Sequence, residues 1–179
     1  LAYDPEGNLT APDGTSGIVL KYDFLNRLRQ VMQGTKVVSH LYDAEGRRVK
    51  TTISGVTGAP PSIEYTYDGW EVIEEWDSTR ALMRRWVMGR EIDEPLQMEN
   101  QRFWPHPGTY EFQRSTLGNV VAVTSTSGTV LERYTYDAYG TPQFETAVSA
   151  IKAVTVSDYG NPYLFNGRRY DPWIYPMYE

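Results

Sequence analysis

The carboxylates are the first residues in this sequence that could do chemistry. Glu71, Glu74, Glu75 and Asp77 crowd together, and Glu91, Asp93 and Glu94 follow. A general acid facing a second carboxylate hydrolyses glycosidic bonds, so an acid pair for that reaction is one reading. The alternative has these acids alternate with Trp and Ile along a strand, pair with Arg80, Arg84, Arg85 and Arg90, and solvate one face. Charges on an exposed strand also discourage edge-to-edge association. Other catalytic templates are empty. The two histidines, His40 and His106, lie far apart, the second between Pro105 and Pro107. Neither carries a neighbouring motif, and no His-x-x-x-His, Gly-x-Ser-x-Gly or phosphate-cradling glycine loop occurs. The absence of Cys removes disulfides, thiolate catalysis and Cys-containing zinc sites. No catalytic residue, cofactor or metal is expected.

Two aromatic and acidic patterns have a binding reading beside a structural one. Tyr-Asp pairs recur along the chain, and a row of carboxylates on successive turns resembles a calcium repeat. One Asp per turn falls short of the six to eight oxygens calcium takes, so the aspartates read as turn caps. Trp70, Trp76, Trp86, Trp104 and Trp173, with 14 tyrosines, would suit a sugar-stacking platform or would fill a sheet as aromatic ladders. Arg outnumbers Lys 13 to 4, which fits guanidinium groups stacked on tyrosine rings and forked onto turn carboxylates.

The whole chain limits the classes. Its 179 residues, 40% apolar and 22% charged, suffice for one domain or a run of repeats, and argue against disorder. A net charge of -6 has the wrong sign for a phosphate-neutralising surface, so no nucleic-acid partner is expected. The longest clean apolar runs resemble Val120-Val121-Ala122-Val123, far below the roughly 20 residues of a membrane helix. The chain opens on Leu1 with no basic stretch and apolar core behind it, and reads as an excised fragment without a visible signal peptide.

Elements must position these residues, and a repeat supplies them. Tyr-Asp recurs at Tyr3-Asp4, Tyr22-Asp23, Tyr42-Asp43, Tyr67-Asp68, Tyr136-Asp137 and Tyr170-Asp171, the first three at steps of roughly 20 residues. Three residues after Asp4, Asp23, Asp43 and Asp137 stand Gly7, Asn26, Gly46 and Gly140, the residue types that most readily take positive φ. Each unit reads as strand, turn, strand: Tyr closes a strand, Asp accepts backbone N–H groups, and Gly or Asn lets the chain reverse. With 15 Gly and 11 Pro among many tyrosines, the composition reads as all-β. Lys36 to Tyr42 alternates without a purely polar side, so both of its faces are expected to pack. Asn119 to Tyr136 is the clearest hairpin, with Ser125-Thr126-Ser127-Gly128 as its loop. Trp70 to Gly89 reads as strands around an Asp77-Ser78-Thr79 corner, although Thr79 to Met88 has helical propensity. Thr146 to Tyr159 reads as a short helix or a loosely held insertion.

On these residues the chain resembles the YD-repeat proteins, known as Rhs proteins in bacteria, with relatives in Tc toxin shells and teneurins. Residues 1–78 resemble ordinary YD repeats, and 79–172 resemble the Rhs repeat-associated core segment. Its landmarks are Gly89 to Leu96, Ser115 to Thr124, Arg133 to Pro142 and Gly160 to Pro172. The resemblance implies a spiralling sheet of repeated β-hairpins, a segment of a shell or barrel, which in bacterial members commonly encloses a C-terminal toxin. It also implies a secreted or cell-surface location. Where the family continues towards an aspartate-dependent self-cleavage site, residues 173–179 diverge as Trp173-Ile174-Tyr175-Pro176-Met177-Tyr178-Glu179. No catalytic residue is therefore carried over, and no toxin is expected within the chain.

Three functions follow as expectations. A structural, non-catalytic fragment would assemble with copies of itself or with adjoining repeats, as a shell or filament around or beside a C-terminal partner. An adhesion module would bind glycans or a cell surface through its aromatic face. An enzyme would need an acid pair with a shifted pKa. The divergent tail, in the structural reading, caps an end or plugs an interior.

Overall fold

A computed structural model describes residues 1–12, 17–101, 106–171 and 173–174. Alternating β-branched, aromatic and polar residues between Gly, Asn and Asp corners produce short strands throughout. They are β1 (Ala2–Tyr3), β2 (Leu9–Ala11), β3 (Ile18–Tyr22), β4 (Leu28–Gln33), β5 (Lys36–Tyr42), β6 (Arg48–Ser54), β7 (Ser62–Asp68), β8 (Glu71–Asp77), β9 (Leu82–Met88), β10 (Pro95–Asn100), β11 (Gly108–Arg114), β12 (Val120–Ser125), β13 (Val130–Tyr136) and β14 (Pro142–Thr146). Among the described residues β1 and β2 pair alone, while β3 to β14 form a twelve-stranded antiparallel sheet in sequence order. The only helical element described is a 3-10 turn at Phe165–Gly167. Two compact units divide the chain, one built on Leu1–Tyr65 and Asp77–Arg80, the other on Thr66–Trp76 and Ala81–Pro172.

In the first unit a cross-strand apolar row supplies the core: Leu20 opposite Val31, Val31 opposite Val38, and Val38 opposite Ile53, all buried. His40 opposite Thr51 and Thr51 opposite Ile63 form the next row on the same face. Burial along β5 therefore alternates, with Val38 and His40 inside and Leu41 exposed. The expectation that both faces of Lys36 to Tyr42 pack is corrected. One residue per pleat suffices for the core, so the opposite pleat stays at the surface.

In the second unit the buried rows are Trp86, Met98 and Tyr110, then Phe112 and Val123, then Tyr134 and Phe144. Both Trp70 to Gly89 strands form around a corner at Asp77, as the aromatic and β-branched content dictates. Thr146 to Tyr159 contains no helix among its residues, which corrects that alternative. Thr146 opens a turn instead, with Glu145 bridged to Ile151 and Lys152 N–H donating to the Phe144 carbonyl at 2.8 Å. This return stretch covers part of the outer edge of β14, where an unpaired strand would otherwise offer itself to another chain.

A register shift recurs at one place in the hairpins. Lys21 faces Gln30 and Tyr22 faces Leu28, so Arg29 is left over; Val49, Met83, Val121 and Leu131 are left over in the same way. Each of these residues stands six positions after the first residue of its turn. A bulge bends its strand and increases local twist, so each such hairpin carries the same device for curving the sheet.

Candidate functional site

The Tyr-Asp turns are built alike. At Asp43 the backbone N–H donates to the Arg47 carbonyl at 3.0 Å, and Gly46 N–H returns to the Asp43 carbonyl at 3.2 Å. Gly46 has φ +88°, the left-handed residue that closes the turn ahead of the bulge. Carboxylate Oδ1 of Asp43 accepts from the N–H groups of Glu45 (3.0 Å) and Arg47 (2.9 Å), while Oδ2 accepts from Arg47 Nε (2.8 Å). Asp23 repeats this with Leu25, Arg27 and Asn26 at φ 60°. Asp4 takes Asn8 N–H at 2.7 Å, and Asp137 takes Tyr139 and Thr141 N–H groups at 2.8 and 2.9 Å. Gly7 and Gly140 hold the positive-φ position in these two turns. Tyr67-Asp68 leads instead into a two-residue corner at Gly69-Trp70, with Gly69 at φ +57°. Tyr170-Asp171 lies outside any hairpin; Tyr170 N–H donates to the Pro162 carbonyl. The same turn also occurs without Asp, opened by Ser115, Ser125 and Thr146, with Gly118, Gly128 and Ser149 at positive φ. The Ser125 and Thr146 hydroxyls cap as a carboxylate does, accepting the N–H groups of Thr129 and Ala150, whereas Ser115 Oγ has no hydrogen-bond partner among the described residues; a search for Tyr-Asp passes over all three sites.

Successive turns are tied to one another. Asn8 Nδ2 donates to Asp4 Oδ2 and to Asn26 Oδ1, each at 2.9 Å. Arg27 bonds its own Asp23, reaches the Asp43 carbonyl at 3.3 Å and lies 4.7 Å over the Tyr42 ring. Tyr42 Oη donates back to the Leu28 carbonyl at 2.6 Å, and Tyr136 Oη to the Val120 carbonyl at 2.5 Å. Leu28 and Val120 occupy the same place, beside the bulge of the preceding turn on that side. The motif tyrosine thus holds the carbonyl whose strand partner the bulge displaces. Tyr136→Phe is expected to cost about 1 kcal/mol, the usual net worth of such a bond. Chemical denaturation of the variant checks this, and a change below about 0.3 kcal/mol would leave the tyrosine with packing alone.

The turn carboxylates are held below the ordinary aspartate range. For Asp23 the Arg27 side-chain bond leads; for Asp137 it is the Thr141 N–H; at Asp43 burial pushes upward and the Arg47 bonds overcome it. The folded pKa lies below the unfolded value of about 3.9, so the stabilisation is complete above that value. It is lost as pH falls through the lowered folded value. Thermal midpoints are expected to be flat from about pH 7 to 5 and to fall towards pH 2, less steeply in the Asp23→Asn, Asp43→Asn double variant. An unchanged slope in that variant would show that other carboxylates govern acid unfolding.

The carboxylates with catalytic potential are engaged elsewhere. Glu75, expected to solvate a face with Arg84, does pair with Arg84 but is fully buried. Arg84 Nε donates at 2.7 Å, and Arg169 donates to the other carboxylate oxygen. Burial alone would raise this carboxyl; Arg84 and Arg169 overcome that and hold it below the ordinary range. Glu71 accepts the Asp93 N–H at 2.8 Å, Glu94 pairs with Arg114 at 3.0 Å, and Asp93 lies 3.7 Å from Arg168. Asp93 is raised by burial against the pull of Arg168. Among the described residues no three His, Asp or Glu gather as a metal site. His40 Nδ1 lies 3.1 Å from Thr51 Oγ1, and His106 stacks on Tyr159.

Sequence reasoning missed a second buried carboxylate. Glu132 accepts from Tyr134 Oη (2.6 Å), Ser157 Oγ (2.5 Å), Lys152 Nζ (2.5 Å) and Asp158 N–H (3.0 Å). Its position in an alternating strand gives no hint of an inward charge. Around it the segment from Lys152 to Tyr170 crosses the core face of the second unit. Arg84 holds the Gly160 carbonyl, and Asn100 Nδ2 holds that of Tyr159 at 3.2 Å. Buried Tyr163 packs edge-on against Trp86 at 5.6 Å and donates to the Val72 carbonyl at 3.2 Å. Among the described residues the tryptophans differ in exposure. Trp86 is in this core, Trp70 is 67% exposed, and Trp104 lies outside the described residues.

A repeated Tyr-Asp turn on a continuous antiparallel sheet is the arrangement that the resemblance to Rhs/YD-repeat proteins implies, and the relatives found are consistent with it. In sequence the chain is 26% identical over 174 residues to the tRNA3(Ser)-specific nuclease WapA of Bacillus spizizenii, and 23% identical over 173 residues to the tRNA nuclease WapA of Bacillus subtilis. Each match covers 96% of this chain and 7% of the relative, so the chain spans a small part of those proteins. In structure it resembles the TcdB2-TccC3 crystal structure, with a TM-score of 0.63 and 13% identity over 96% of this chain and 9% of that one. The same complex without its hypervariable C-terminal region matches with a TM-score of 0.51 and 17% identity, over 89% of this chain and 9% of that one. No protein-family model matches. No described helix is long and apolar enough to cross a membrane.

Proposed function

We propose that this chain is a non-catalytic wall segment of a longer Rhs protein, secreted or displayed at a cell surface, whose hairpins pair with adjoining repeats or further copies to enclose or present a C-terminal partner. The observation that carries this reading is the ladder of turns. Asn8, Arg27, Tyr42 and Tyr136 each satisfy a group belonging to a neighbouring turn or hairpin, so the motif residues serve continuation of the sheet. The tRNA nuclease activity in the relatives' names belongs to proteins of which this chain matches a small share. Its net charge of -6 suits a wall better than a tRNA surface. Electron microscopy and light scattering of the purified chain test the assembly. Rings, filaments or defined oligomers support it; a monodisperse monomer that also fails to associate with added flanking repeats overturns it. Cleavage of tRNA by the purified chain would overturn the non-catalytic part.

A further inference from the structure

A groove of about 390 Å³ on the first unit has no role in the turn ladder. Its floor is a polar row running across four strands, Lys21 opposite Gln30, Gln30 opposite Ser39, and Ser39 opposite Thr52. This row lies on the pleat opposite Leu20, Val31, Val38 and Ile53, so it is the outer face of the sheet there. Arg29, Tyr22, His40 and Leu41 complete the lining. Arg29 is the residue that the β3–β4 bulge leaves without a cross-strand partner, and bulges characteristically re-aim a side chain in this way.

Two features single this groove out. Most basic residues of the chain are engaged: Arg27, Arg47, Arg84, Arg114, Lys50 and Lys152 each form an ion pair. Lys21 and Arg29 form neither an ion pair nor a side-chain hydrogen bond among the described residues, although the chain as a whole is acidic. Between them stand neutral groups able to donate and accept, with Gln30 Nε2 already donating to Ser39 Oγ at 3.0 Å and so presenting its carbonyl oxygen outward from that bond. Two cations beside an amide, two hydroxyls and a phenol match a ligand with one acidic group and several hydroxyls.

We propose that this groove binds a sugar carrying an acidic group, the Lys21 and Arg29 side chains taking the anion and Gln30, Ser39 and Thr52 the hydroxyls. A carboxylated sugar and a sugar phosphate share this chemistry. Amide chemical-shift titrations of the full chain with glucuronate, glucose 6-phosphate, glucose and inorganic phosphate test it. Saturable shifts at Lys21, Gln30, Ser39 and Thr52 are expected with at least one of the two acidic sugars, and their relative affinity identifies the acid. Glucose and inorganic phosphate are expected to bind about tenfold more weakly or not at all. Raised ionic strength is expected to weaken binding. The Lys21→Ala, Arg29→Ala double variant alters two exposed side chains, so its spectrum should stay native while affinity falls about tenfold or more. Equal affinity for glucose, equal affinity for inorganic phosphate, no response to either acidic sugar, or unchanged affinity in the double variant would each overturn the proposal.

Discussion

Replacing Glu75 by glutamine is expected to cost about 3–5 kcal/mol of unfolding free energy, although the side chain keeps its shape. Glu75 is fully buried, Arg84 is 5% exposed, and both guanidinium groups aim at the one carboxylate. The amide accepts with one oxygen and carries no charge, so the two guanidinium groups beside Trp86 would lose the carboxylate that both of them bond. The native arrangement is no proof of added stability over an apolar core, because desolvation of the ions offsets their attraction. That asymmetry makes the test sharp. Glu75→Gln should be severe, while the triple variant Glu75→Leu, Arg84→Met, Arg169→Met should recover much of the loss. Urea denaturation measures both, and a loss below about 1 kcal/mol in the single variant would refute the Glu75 charge as a major contributor.

The second large effect is expected at Glu132. In Glu132→Leu, Tyr134 Oη, Ser157 Oγ and the Asp158 N–H all lose an acceptor, and Lys152 loses one of its two anions. Stranding several partly buried donors is expected to cost about 3 kcal/mol or more. The effect should also be local. Hydrogen exchange is expected to speed up from Lys152 to Tyr170, where the backbone makes few ladder bonds, before it does in β9 to β13. Uniform acceleration across the unit would mean that this segment and the sheet open as one.

The two effects differ in how much of each could be read beforehand. Glu75 and Arg84 stand nine positions apart across the Asp77 corner, and a hairpin reading already pairs them. Burial turned that pair from surface decoration into a core cluster, because Arg169, 94 positions away from Glu75, closes over it. Glu132 gave no warning at all. Three of its four partners come from a stretch read as a helix or a loose insertion, a serine, a lysine and a backbone N–H that no motif announces.

The Asp23 and Asp43 turns needed only the sequence. Asp43, Gly46 and Arg47 lie within five consecutive positions, and their bonds are completed inside that window whatever surrounds it. A short-range rule is sufficient where every donor and acceptor is local. The alternation of apolar residues likewise determined the strands. Which pleat of β5 faces the core, where the bulges fall and what covers the second unit were decided by tertiary structure. Those outcomes depend on registers between strands and on contacts such as Arg84 with Gly160, 76 positions apart, whose energies exist only once the chain has come together.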